Sequence, residues 1–84
     1  MASYQILYWQ NLASQVKVWD DFDEVKAELS ARFATRIDQA AQAQGLTAMD
    51  DYLAQWRWGK VAEREGSAAQ VADAVRRELE DAGA

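Results

Sequence analysis

The chain of 84 residues has no cysteine, no histidine and no proline, and only four glycines. Without cysteine, disulfide braces are unavailable and thiol catalysis and thiolate metal sites are excluded. Without histidine, the commonest general base, the commonest metal ligand and the usual pH switch near neutrality are missing. The candidate nucleophiles Ser3, Ser14, Ser30, Thr35, Thr47 and Ser67 therefore have no imidazole to activate them. Four glycines make no phosphate-cradling loop. No apolar run approaches the ~20 residues a membrane helix needs. The opening "MASYQILYWQ" lacks the basic start and apolar core of a secretory signal, so a cytoplasmic address is expected.

The net charge is −5, and acids outnumber bases in both halves of the chain. Nucleic-acid binding relies on clustered Lys and Arg that displace counterions, and no such cluster occurs. The same balance disfavours anionic membranes. What remains is a composition half apolar and 11 % aromatic, with four tryptophans. Each indole can bury roughly 150–250 Å², which suits a chain too short to hide more than about 60–65 % of its unfolded surface. One domain spanning 1–84 is expected.

"SYQILYW" (Ser3 to Trp9) and "VKVWDDF" (Val16 to Phe22) are β-branched and aromatic, and "QNLASQ" between them has the length of a hairpin loop. Alternation groups Tyr4, Ile6 and Tyr8 against Gln5, Leu7 and Trp9, and Val16 and Val18 against Lys17 and Trp19. From Glu24 to Gln44, the residues Val25, Leu29, Phe33, Ile37 and Ala41 recur every four positions, which predicts one long helix ended by Gly45. The acids of "DDFDE" read as its start: Asp21 and Glu24 have capping-box spacing, whereas a calcium loop would need a glycine turn and a distal glutamate.

"LTAMDDYLAQW" predicts a short helix with Thr47 as its cap, running into a third strand from Ala54 to Val61, with Gly59 at a bulge or at the end of pairing. Ser67 and Gln70 form a capping box for a second main helix. Its buried stripe is Val71, Val75 and Leu79 with Ala68 and Ala72, Asp73–Arg77 and Arg76–Glu80 are its surface pairs, and Gly83 lies past its end. The order β-β-α-(short α)-β-α predicts an α+β two-layer sandwich, a three-stranded antiparallel sheet with two main helices on one face.

Such a sheet leaves its other face for water or a partner. With Trp56 and Trp58 assigned to the helix-covered face, the open one carries Leu7, Trp9, Lys17, Trp19 and Arg57 beside Gln5. Aromatic anchors among adaptable polar neighbours are the composition of a protein interface. The alternatives are that Lys and Arg stems, or the middle segment folding over, shield those rings. A base-stacking role for "YLAQWRWGK" is opposed by Glu63 and Glu65, which give the wrong sign of charge.

The stretches "YQILYW", "YLAQWRWG" and "GSAAQVADAV" together resemble the small bacterial "virulence factor" domain, from Tyr4 to about Glu80. Similar domains sit beside helical repeats like those of bilin-lyase proteins in some larger bacterial and cyanobacterial chains. The resemblance implies an accessory or docking module, carries over no catalytic residues and, despite its label, no role in infection. The expectation is thus a non-catalytic domain without cofactor or metal that docks to a protein partner or to itself. The alternative is a small-molecule-binding accessory subunit with a pocket near Tyr52, Trp56 and Trp58.

Overall fold

A computed structural model describes residues 1–82. Its elements are β1 (Ala2–Trp9), β2 (Leu12–Trp19), β3 (Glu24–Glu28), α1 (Ala31–Ala43), α2 (Met49–Leu53), β4 (Trp56–Trp58), β5 (Ala62–Arg64) and α3 (Ala68–Ala82). The class is α+β, as expected, but the antiparallel sheet is larger than three strands and there are three helices. Along the sheet the order is β3-β2-β1, with β4 and β5 both paired to β1, one at each end of it.

The first hairpin is tighter than the sequence suggests. β2 begins at Leu12, so the turn is only Gln10–Asn11, and Gln10 takes a positive φ of 54°. Pairing runs Leu7 with Gln15 and then Tyr8 with Ala13, which leaves Ser14 as an extra residue. That bulge switches the alternation of β2: Ala13 turns in beside Tyr8, and Leu12 joins Trp9 on the other side. A reading by strict alternation loses the strand at that point and assigns it to a loop.

The long helix over Glu24–Gln44 is overturned. Glu24–Glu28 is a strand paired to β2, and the helix starts only at Ala31. Val25 and Ala27 alternate with three charged residues, so the period is 2 there and 3.6 only afterwards. Phe33, Ile37 and Ala41 remain the buried stripe of α1, and Gly45, at φ +72°, follows its end. Asp21 and Glu24 cap nothing in α1. Asp20 instead closes the β2–β3 turn, its Oδ1 accepting from the backbone N–H of Phe22 at 2.8 Å and of Asp23 at 2.7 Å.

The third strand also departs from expectation. It is split into β4 and β5, with Gly59 ending the first piece. The short helix α2 is present, but its N-cap is Ala48 and no side chain caps it, so Thr47 has no such role. In α3 the capping box forms: Gln70 N–H donates to Ser67 Oγ (3.2 Å) and Ser67 N–H to Gln70 Oε1 (3.0 Å). Asp73 pairs with Arg77 at 3.1 Å as expected. Arg76 pairs with Asp73 rather than with Glu80, which is committed elsewhere. Gly83 lies outside the described residues.

The core has two principal parts. On one sheet face, Ala2, Val16 and Val18 pack against Ala68, Val71, Ala72 and Val75 of α3, with Tyr4, Ile6, Val25, Ala27 and Leu79 around them. At the hairpin tip, Trp9 packs against Ile37 and Ala41 of α1, with Leu12, Leu46, Tyr52 and Trp56 around it. A smaller cluster of Ala13, Leu29 and Phe33, flanked by Ile6, Tyr8 and Leu79, bridges them. Trp9 is 0 % exposed, and its indole Nε1–H donates to Tyr52 O at 2.9 Å, so the ring is both enclosed and satisfied. Removing a wholly buried indole costs about 3–5 kcal/mol, a large share of what so small a domain has. Trp9→Ala is therefore expected to lower the urea midpoint sharply or unfold the chain at 25 °C, measured by far-UV circular dichroism, whereas Trp19→Ala is tolerated.

Candidate functional site

Residues directly opposite one another in an antiparallel pair share a face, so the pairing defines what each side of the sheet presents. On the face away from α3 the rows read Glu28–Gln15–Leu7, Lys26–Lys17–Gln5 and Glu24–Trp19–Ser3. Trp58 extends the first row past Leu7, and Glu63 extends the third past Ser3. The next row, Leu12–Trp9–Trp56, lies under Tyr52 of α2 and the end of α1. Leu7, Lys17 and Trp19 are half-buried, while Trp58 is 45 % exposed.

The sequence-based set is therefore partly reassembled. Leu7, Lys17 and Trp19 do share the face away from α3. Trp9 does not belong to a contact surface, because its ring is entombed at the hairpin tip; the middle segment folds over it, the second of the shielding alternatives. Arg57 lies on the opposite side, paired with Tyr8. Its guanidinium stands 4.9 Å from the Tyr8 ring centre, and its Nε donates to Gln10 O at 3.1 Å, which ties β4 to the hairpin turn. The face that carries Trp56 and Trp58 is thus the reverse of the one expected, since a register displaced by one residue moves every side chain of a strand across the sheet.

Trp58 is the exposed aromatic that alternation assigned to the covered face. Its register is set by Gly59, whose N–H donates to Ile6 O at 2.8 Å and whose bare Cα lies against Tyr8: an added Cβ would come within 2.9 Å of Tyr8 Cε2. Glycine here permits a close approach of backbone to ring, and the preceding residue is thereby aimed at Leu7. A glycine directly after an aromatic pair was the available signal.

The three residues of the alternative pocket do not act together. Tyr52 and Trp56 meet edge-on at 6.0 Å and Tyr52 and Trp9 at 5.6 Å, filling one another's space, while Trp58 stands on the surface. Two recesses lie elsewhere, one of about 220 Å³ beside Ser14, Glu28 and Ala34 and one of about 280 Å³ beside Met1, Phe22 and Gly66. Both are smaller than the ~300–1,000 Å³ usual for drug-sized ligands.

On the uncovered face, Lys17 is held 3.4 Å from Glu24 and 5.8 Å from the Trp19 ring centre. Ser14 and Lys17 have Ser-x-x-Lys spacing, but that ammonium is turned to Glu24 and Trp19. Among the described residues no three acidic side chains gather as a metal ligand set, and no helix is long and apolar enough to cross a membrane.

Two carboxylates hold the frame behind this face. Asp20 Oδ2 accepts from Ala68 N–H at 3.0 Å, capping α3 from the β2–β3 turn. Its bonds from Phe22, Asp23 and Ala68 keep its carboxyl below the ordinary range. Glu80 accepts from Ser30 Oγ (2.8 Å), Ser30 N–H (2.7 Å) and Arg32 Nη2 (3.1 Å), joining the end of α3 to the start of α1. The Ser30 hydroxyl, then its N–H and Arg32, lower that carboxyl's pKa as well.

With these features in place, the chain is an α+β protein built on an antiparallel sheet. It belongs to the virulence factor family, whose pattern it matches over residues 7–82. No curated protein and no solved structure matches it.

A depressed carboxyl pKa stabilises the fold above the group's unfolded value and ceases to do so as pH falls through the folded one. The thermal midpoint should therefore drop as the pH falls below the ordinary carboxylate range. In Asp20→Asn/Glu80→Gln that drop should be visibly shallower by differential scanning calorimetry.

Proposed function

We propose that this domain is a non-catalytic docking module that engages a protein, either another chain or a second copy, through the sheet face that α3 leaves uncovered. In this reading the sheet and α3 form two layers, and the outer surface of the sheet is the working one. The observation that carries it is the Leu7–Trp58 row: a half-buried leucine beside a tryptophan 45 % exposed, neither of them in a core cluster of the described residues. Leaving an indole in water forgoes burial that the same chain achieves fully for Trp9. Around the pair stand Gln5, Gln15, Lys17 and Trp19, polar or amphipathic side chains of the kind that rim an apolar hot spot. Met49 and Leu53, both more than half exposed on α2, offer further apolar area on the helix that overlies Trp9.

The charge pattern supports a protein as the occupant. The rows alternate Glu and Lys without a basic excess, which leaves nothing for a phosphate backbone. An assembly of moderate affinity follows, because a hot spot of two apolar residues is small.

Leu7→Ser/Trp58→Ser is expected to lose the assembly made through this face, read by recovery of a defined partner on an immobilised domain. Arg77→Ala, on the exposed side of α3, should leave recovery unchanged. Equal recovery by the native and the Leu7→Ser/Trp58→Ser proteins, both folded by circular dichroism, would remove this face from consideration.

A further inference from the structure

The edge of the sheet at β3 has a feature the face does not. Backbone bonds at Asp20–Asp23 and Ser14–Leu29 flank this pairing, so the alternation of an antiparallel ladder turns Val25 and Ala27 toward β2. The N–H and C=O groups of Glu24, Lys26 and Glu28 then point outward. Further along, the outward N–H of Ser30 is already taken by the Glu80 carboxylate, which ends the open stretch. β3 is the last strand on its side, so three consecutive outward groups have no strand beside them.

Lys26 on this edge is poorly placed within its own chain. It sits directly opposite Lys17, a like-charge pair that destabilises a sheet. Lys17 has Glu24 at 3.4 Å, and among the described residues Lys26 has no ion pair. A lysine in mid-edge ordinarily repels the same edge of another molecule. That holds for an antiparallel pair centred on Lys26, where Lys26 would face Lys26 and Glu24 would face Glu28. Centred one residue earlier, on Val25, the charges become complementary: Glu24 of each copy faces Lys26 of the other, twice by symmetry. Each of these pairs joins residues whose backbone groups point outward, so the ladder bonds and the ion pairs coincide.

The same register gives Phe22 a place. This side chain, at the tip of the β2–β3 turn, is 92 % exposed, the barest large apolar residue among those described. Three residues from the two-fold axis, it stands opposite Glu28 of the second copy. Glu28 borders the recess of about 220 Å³ whose walls include Leu29 and Ala34.

We infer that a second copy of this chain docks on β3, antiparallel and centred on Val25, with Glu24–Lys26 ion pairs and Phe22 seated at the recess of the other copy. The interface is isologous, as a two-fold dimer requires. It leaves Leu7 and Trp58 free and stands independently of the docking proposed for that face.

Charge exchange tests it. By sedimentation equilibrium, Lys26→Glu and Glu24→Lys should each weaken the dimer by about tenfold or more. The combined Glu24→Lys/Lys26→Glu chain should recover it, while Leu7→Ser/Trp58→Ser should leave it intact. Because the native chain has no cysteine, the register can be read by oxidation. Val25→Cys should form a dimeric disulfide, its α-carbons about 4.5 Å apart in a pair of this type, and Ala27→Cys should not. Phe22→Ser should loosen the dimer without changing the thermal midpoint of the monomer. A native chain monomeric up to about 1 mM overturns the inference. So does a dimer indifferent to the charge reversals, or one that crosslinks at residue 27 in preference to 25.

Discussion

The enclosure of the Trp9 indole is the contact on which the architecture turns. It closes the hairpin tip under the C-terminal half of α1 and under Tyr52 of α2, and its Nε1–H is satisfied by the Tyr52 carbonyl. One ring thereby joins three strands and two helices. This contact draws the middle segment to the tip, away from the Leu7–Trp58 row.

A chain with no disulfide and no proline must hold its other joints by different means. Here two carboxylates act as ties between elements distant in sequence. Asp20 reaches from a turn to the N-terminus of α3, where a negative charge is also favoured by the helix dipole. Glu80 reaches from the end of α3 to the extended residue before α1. These are exposed interactions of modest worth singly, but each fixes the approach of a helix to the sheet and therefore which rows stay bare.

The charged rows on the bare face and the β3 edge have one cause. Once Val25 and Ala27 turn toward α3, the residues between and beside them must point the other way, and in this sequence those are Glu24, Lys26 and Glu28. The alternation that supplies the core thus sets charges on the edge, and the same three positions carry the outward backbone groups. Whether an edge repels or receives a second molecule then depends on register alone.

Much of this was legible in the sequence. The first strand, the stripe of Phe33, Ile37 and Ala41, the glycine stop, and the capping box and buried face of α3 follow from local periodicity and side-chain hydrogen bonding, which act over a few residues. The family resemblance was legible too, in the tryptophan segment and the start of α3. The structure differs where long-range pairing overrides local pattern. Val25 and Leu29 fit a helical stripe as well as they fit a strand and its exit, and only the available edge of β2 selects the strand. The bulge at Ser14 turns Ala13 and Leu12 across β2, the pairing of β4 with β1 sets Trp58 beside Leu7 and Arg57 beside Tyr8, and the middle segment folded over the hairpin tip encloses Trp9. Residue types and short-range spacing determined which side chains seek burial; the register of the assembled strands decided which of them obtained it, because period 2 lets a displacement of one residue exchange the two faces of a sheet.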